Sequence, residues 1–180
     1  MENVFNPDAA IDALELYGPM SVADFGAGAG FLTLPLSKKI SSDGKVFAFD
    51  IQEAPLAVLR KRAGDEQKGN IETIRADLER PRGSQLADSS VDRVVIANIL
   101  FQAERKDLLF EEAYRILHEQ GRLLIIEWFE ETDMAFGPPQ TLRISQNDAS
   151  QFAQAAGFIF EKQFEAGSHH YGLLFQKNNP

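Results

Sequence analysis

Cysteine is absent from all 180 residues. That excludes disulfides, thiolate metal centres and a cysteine nucleophile. Histidine is scarce, with only three residues, so imidazole chemistry has few places to reside. Positive charge is in deficit: 18 lysines and arginines face 27 aspartates and glutamates, for a net charge of −9. A nucleic-acid partner requires a basic face, so DNA or RNA is not expected as substrate. No apolar run approaches the roughly 18 residues of a membrane span. The opening Met1-Glu2-Asn3 lacks the basic-then-apolar pattern of a secretory leader. These absences predict a cytoplasmic protein with neither membrane nor nucleic-acid partners. Hydrophobic residues at 44% and charged residues at 25% fit an ordinary globular chain. The length suits one domain over 1–180.

The organising stretch is Val22-Ala23-Asp24-Phe25-Gly26-Ala27-Gly28-Ala29-Gly30-Phe31, which reads as a buried strand, a glycine turn and a helix start. Such an opening belongs to nucleotide-type α/β folds, with the ligand over the carboxyl ends of the strands. A dinucleotide fingerprint needs G-x-G-x-x-G, and Phe31 stands at its third glycine. The patterning predicts strands over 21–25, 45–50, 71–75, 91–99 and 122–129, with helices over 9–16, 31–40, 55–63 and 106–117. His118-Glu119-Gln120-Gly121 is expected to be a turn. After a long irregular stretch at 130–144, a helix capped by Ser145 covers 145–156, and strands cover 158–164 and 171–177.

Asp50 ends the second strand about twenty residues past the glycine turn, where an acid takes ribose hydroxyls. Ile51 follows it and could cover one face of an adenine. Asn98 ends the fourth strand, and burying its amide without partners would be costly. It is expected to bond a loop or the ligand. His118 sits in a turn and is assigned to solvent.

The D-x-G-x-G-x-G run from Asp24 to Gly30 resembles motif I of the class I S-adenosylmethionine-dependent methyltransferases. Arg115-Ile116-Leu117, Gly121-Arg122-Leu123, Ile126-Glu127-Trp128, Gly137-Pro138-Pro139, Arg143-Ile144-Ser145 and His170-Tyr171-Gly172 look like a small prokaryotic type 11, ubiquinone/menaquinone-biosynthesis-like subgroup. The likeness runs from about Pro7 to Lys177. It implies a Rossmann-like α/β three-layer sandwich whose seven-stranded, mostly parallel sheet has an antiparallel, inserted last strand. Two final strands with no helix between them match that pattern.

The implied cofactor is S-adenosylmethionine, an ammonium, carboxylate, ribose and adenine without phosphate. Asp24 would receive the ammonium, and N–H groups around Gly28 and Phe31, at a helix N-terminus, suit the carboxylate. Phe25, Gly26, Ala27 and Gly30 complete the turn. Asp50 matches the family's ribose acid. Ala76-Asp77-Leu78 matches the motif that meets adenine, Asp77 at the amine and the next N–H at the ring.

Methyl transfer needs a base only where the nucleophile arrives protonated. His169 and His170 precede the antiparallel strand and so start at the ligand edge; they are the candidates. Arg143 could hold an anionic acceptor or pair with an acid such as Asp133. Phe129 and Phe136 would flank an apolar mouth. Related enzymes often carry histidine where Phe101 stands. A small-molecule acceptor is expected, and a homodimer stays open. So do two other readings: a non-catalytic cofactor-binding subunit or sensor, and an NAD-dependent oxidoreductase, which Phe31 and the terminal strand pair oppose.

Overall fold

Ser21–Phe25 (β1) is apolar but for its first residue and Asp24, and it is buried almost throughout, as a strand covered on both faces must be. Around it the chain lays down a seven-stranded sheet in the order β3-β2-β1-β4-β5-β7-β6. In the computed structural model, residues 4–131 and 137–178 are described. The parallel strands are β1, β2 (Lys45–Asp50), β3 (Ile71–Arg75), β4 (Val91–Ala97) and β5 (Leu117–Trp128). β6 (Phe158–Glu165) and β7 (His170–Lys177) form an antiparallel pair, and β7 lies between β5 and β6. This is the seven-stranded sheet with the inserted antiparallel strand.

Helices cover both faces. α1 (Pro7–Ala13) and α2 (Thr33–Lys39) pack with Val22, Val46, Val95 and Leu124 on one side. α3 (Glu53–Asp65) closes that side through Leu56 and Leu59. α4 (Lys106–Ile116) and α5 (Gln146–Ala155) cover the other face over Val94, Ile96, Leu123 and Ile125. Each cap follows its chemistry: Asn6 accepts from the N–H groups of Asp8 and Ala9, and Ser145 accepts from that of Asp148.

β1, β2 and β3 have the bounds their sequence patterns predict. The expected turn at 118–121 is instead an excursion inside β5. Leu117 already pairs with Val91, and the next paired residues are Arg93 and Arg122. β4 also stops at Ala97, one residue before Asn98, which turns with φ 55°. Among the described residues, no helix is long and apolar enough to cross a membrane.

Candidate functional site

Strand order reverses between β1 and β4, which opens a crevice over the carboxyl ends of the strands. A cavity of about 740 Å³ lies there. It extends from the segment after β3, with Ala76 to Glu79, past the glycine turn to Trp128 and His170 at the junction of β5 and β7. Of the residues singled out in the sequence, Asp24, Gly26, Ala27, Gly28, Phe31, Asp50, Ile51, Ala76, Asp77, Leu78, Asn98 and His170 line it. Phe25 and Gly30 do not: Phe25 is in the core and Gly30 faces Leu59.

Asp24 is 1% exposed and accepts a hydrogen bond from Thr33 Oγ1 at 2.6 Å. Burial pushes its carboxyl up to about 6 against the opposing Thr33 bond, and the nearby Asp50 charge adds to the rise. Asp50 ties the glycine turn to β2: its Oδ2 accepts from Gly28 N–H at 3.0 Å and its Oδ1 from Gln52 N–H at 2.8 Å. The N–H of Gly28 is therefore committed to Asp50, and that of Gly30 to the Ala27 carbonyl. These two donors do not stand free for a ligand carboxylate. Asp77 makes a tight turn onto Glu79 N–H at 3.1 Å and pairs with Arg80 at 2.7 Å while it borders the cavity. Asn98 Oδ1 is buried at the rim with no hydrogen-bond partner.

The far end is aromatic. His170 is 1% exposed, with Trp128 and Phe5 centred 4.2 Å and 5.1 Å from its ring. Its Nδ1 lies 2.9 Å from the Val4 carbonyl, and its Nε2 is buried without a partner. Burial lowers its pKa.

The other candidates stand elsewhere. His169 is outside the cavity lining and bonds Ser168 Oγ through Nδ1 at 2.6 Å. Arg143 is likewise outside it, 8% exposed, with Nε on the Pro138 carbonyl at 3.1 Å and an Nη on the Phe129 carbonyl at 2.9 Å. Both carbonyls accept from its guanidinium. Phe129 lines a separate small cavity, and Asp133 and Phe136 lie outside the described residues. Phe101 does not line the main cavity. Glu127 is not among the lining residues; its Oε1 accepts from Leu100 N–H at 2.6 Å, and burial pushes its carboxyl up to about 7.

Val4 and Phe5 also line the cavity and carry no local signal in the sequence. Gln102, Ala103 and Leu109 form a further wall that sequence reasoning did not find: the first two lie in the turn before α4, which carries no motif, and Leu109 reads as core.

Could these residues hold an adenosyl ligand? A buried amide oxygen at the rim, a turn open above Gly28 and three acids along one end fit an amine, a ribose and an adenine. Comparison with known proteins decides the family. Residues 23–125 match the Methyltransferase domain family of type 11. The chain belongs to the class I S-adenosylmethionine-dependent methyltransferases.

The methyltransferase is 35% identical over 124 residues to the ubiquinone/menaquinone biosynthesis C-methyltransferase UbiE of Hahella chejuensis, covering 68% of this chain and 49% of that protein. Its likeness to UbiE of Azotobacter vinelandii is 32% over 149 residues, covering 77% and 58%. The chain thus spans about half the length of these curated relatives. A solved SAM-dependent methyltransferase from Aquifex aeolicus superposes with a TM-score of 0.87 at 26% identity, covering 96% of this methyltransferase and 90% of the other chain.

Proposed function

We propose that this methyltransferase moves a methyl group from S-adenosylmethionine to a small planar acceptor of the quinol type. The supporting observation is the polarity of the cavity along the sheet edge. Acids stand at the β2–β3 end and aromatic rings at the β5–β7 end, with the glycine turn between them. A volume of about 740 Å³ falls in the range of small-molecule sites, roughly 300–1,000 Å³.

When bound, S-adenosylmethionine supplies a methyl carbon on a sulfonium, with a thioether as leaving group. The chain's part is to bind and orient. Asp24, ionised above about pH 6, is the acceptor for an ammonium. Asp50 offers carboxylate oxygens to ribose hydroxyls, at the expense of its bond to Gln52 or Gly28. Asp77 and Leu78 meet the adenine, and the Asn98 amide oxygen gains the partner that it lacks. Phe5, Phe31 and Trp128 form an apolar wall that excludes water and stacks a flat ring. The UbiE relatives are named as C-methyltransferases, which supports carbon as the methylated atom.

Calorimetric titration with S-adenosylmethionine, S-adenosylhomocysteine and NADH tests the cofactor. Saturable binding of the two adenosyl ligands, lost in Asp50→Ala, is expected, and binding of NADH alone would overturn the reading. Mass spectrometry of a methoxylated benzoquinol incubated with enzyme and S-adenosylmethionine tests the acceptor class.

A further inference from the structure

Segment 4–6 lies across the aromatic end of the cavity and is held at several points. Asn6 N–H donates to the Ala166 carbonyl at 2.7 Å, and His169 N–H to the Val4 carbonyl at 3.4 Å. The Phe5 ring bridges Phe31 of the glycine turn, 5.2 Å between centroids, and His170, 5.1 Å. The Val4 carbonyl also meets His170 Nδ1 at 2.9 Å. A carbonyl only accepts, so Nδ1 carries the hydrogen, and in the neutral ring Nε2 is then a lone-pair acceptor. That nitrogen is buried without a partner, although the ring borders the cavity. A buried polar atom without a partner is rare in native structures, and a catalytic role is one of the few reasons for keeping one.

Resting on the methyl-transfer reading, we propose that His170 takes the acceptor's proton at Nε2, and that segment 4–6 is the positioning element that keeps this nitrogen unprotonated. The acceptor's O–H bond breaks, its electron pair stays on the acceptor, and the proton passes to Nε2. A ring carbon of the acceptor then forms the bond to the methyl carbon while the sulfur keeps the pair from the bond that breaks, and the keto product regains its aromatic ring by losing the proton of the methylated carbon to solvent while its oxygen takes one back. The imidazolium lies beside Trp128, whose ring centroid is 4.2 Å from its own and whose π system attracts a cation, and it later releases its proton to solvent. Apart from the Val4 carbonyl, the charged or titratable groups acting on the ring are His169 and Arg143, and both oppose protonation, so the resting ring stays neutral. Segment 4–6 thereby closes the cavity and selects the tautomer with a single carbonyl. Phe5 is the side chain that must yield for an acceptor to reach Nε2.

Nitrogen-15 NMR of histidine-labelled protein reads the tautomer directly, because the chain has three histidines and His170→Gln assigns the signal. A pyrrole-type Nδ1 and a pyridine-type Nε2 are expected for wild-type His170. Phe5→Ala is expected to loosen the segment and to mix the two tautomers. With the quinol probe, His170→Gln is expected to lose on the order of 10²-fold in kcat at unchanged cofactor KM. A protonated Nε2 in the wild type, or a Phe5→Ala protein with an unmixed tautomer, overturns the proposal. A wild type that binds no S-adenosylhomocysteine overturns the methyl-transfer reading beneath it, whatever the tautomer.

Discussion

Two glycines in one turn serve different ends. Gly26 has φ +77°, and a Cβ there would meet Ile99 Cγ2 at 2.2 Å. Gly28 has φ +53°, but a Cβ there would enter open space above the turn. Gly26→Ala is therefore expected to cost roughly 2–4 kcal/mol of stability, combining left-handed backbone strain with a clash. Gly28→Ala carries the strain alone, about 1–2 kcal/mol, and also places a methyl group in the cavity, where the proposal puts the ligand. Denaturant unfolding separates the first effect, and S-adenosylhomocysteine titration the second. Equal stability losses with unchanged affinity would contradict this division. Asp24 offers a second contrast. Its folded pKa of about 6 lies above the roughly 3.9 of an unfolded aspartate. Such a group favours folding fully below the unfolded value, and that advantage is lost as pH rises through 6. Keeping the charge buried at neutral pH costs on the order of 3 kcal/mol. Asp24→Asn can still accept from Thr33, so it is expected to stabilise the protein at about pH 8 and much less at about pH 5. Its affinity for S-adenosylmethionine should fall, because the ammonium loses its counter-charge. A variant equally stable relative to wild type at both pH values would refute the linkage.

At the scale of elements, the segment after β3 lines the acidic end of the cavity, where the proposal puts the adenine, and its far part is pinned to α4. Glu112, 3% exposed, accepts from Ser84 N–H at 2.9 Å, from Ser84 Oγ at 2.5 Å and from both arms of Arg115 at 2.7 and 2.9 Å. Burial raises the Glu112 pKa, but the Arg115 and Ser84 bonds outweigh it and the net shift is downward. Its contribution is thus present above the usual glutamate range and is lost as pH falls through the lowered value. Glu112→Ala removes the acceptor of Ser84 and leaves Arg115 with Asp88 and the Leu86 carbonyl, and should cost about 1–3 kcal/mol. It should also weaken S-adenosylhomocysteine binding through Asp77 and Leu78, which a calorimetric titration would read. A loss of stability with intact affinity would show that the network does not support the adenine end. Arg115 was visible in the sequence only as part of a motif, since the bond from Glu112 to Ser84 spans 28 residues. The same reason explains what else was legible. β1, β2 and β3 were marked by local apolar runs ending in turns or acids, and their bounds follow those marks. The excursion at 118–121 reads locally as a turn, and only pairing with Val91 makes Leu117 part of the strand. The role of segment 4–6 depends on a contact across 166 residues, and nothing near Val4 announces it. Asp24, Asp50 and Asp77 stood out because each falls at a strand end, where the topology must bring ligands.

Across the whole molecule, the site belongs to no single part. Its walls come from segments at or beyond the ends of β1, β2, β3, β4, β5 and the start of β7, so a ligand there ties together both halves of the sheet around the switch point. Unfolding any of these strands destroys the site, which makes bound ligand a stabiliser of the native state as a unit. For one site with no affinity for the unfolded chain, ligand at a hundred times its Kd adds about 2.7 kcal/mol. In a domain of this size each kcal/mol moves Tm by roughly 2–4 °C, so saturating S-adenosylhomocysteine is expected to raise Tm by about 5–10 °C. Asp50 braces one of these halves, since it links Gly28 of the turn after β1 to Gln52 after β2. Asp50→Ala should therefore lower Tm slightly without ligand and abolish the ligand-induced rise. Thermal scans of wild type and variant at increasing ligand concentration decide this. A rise of equal size in both proteins would mean that the ligand is held elsewhere than over the carboxyl ends of β1 and β2.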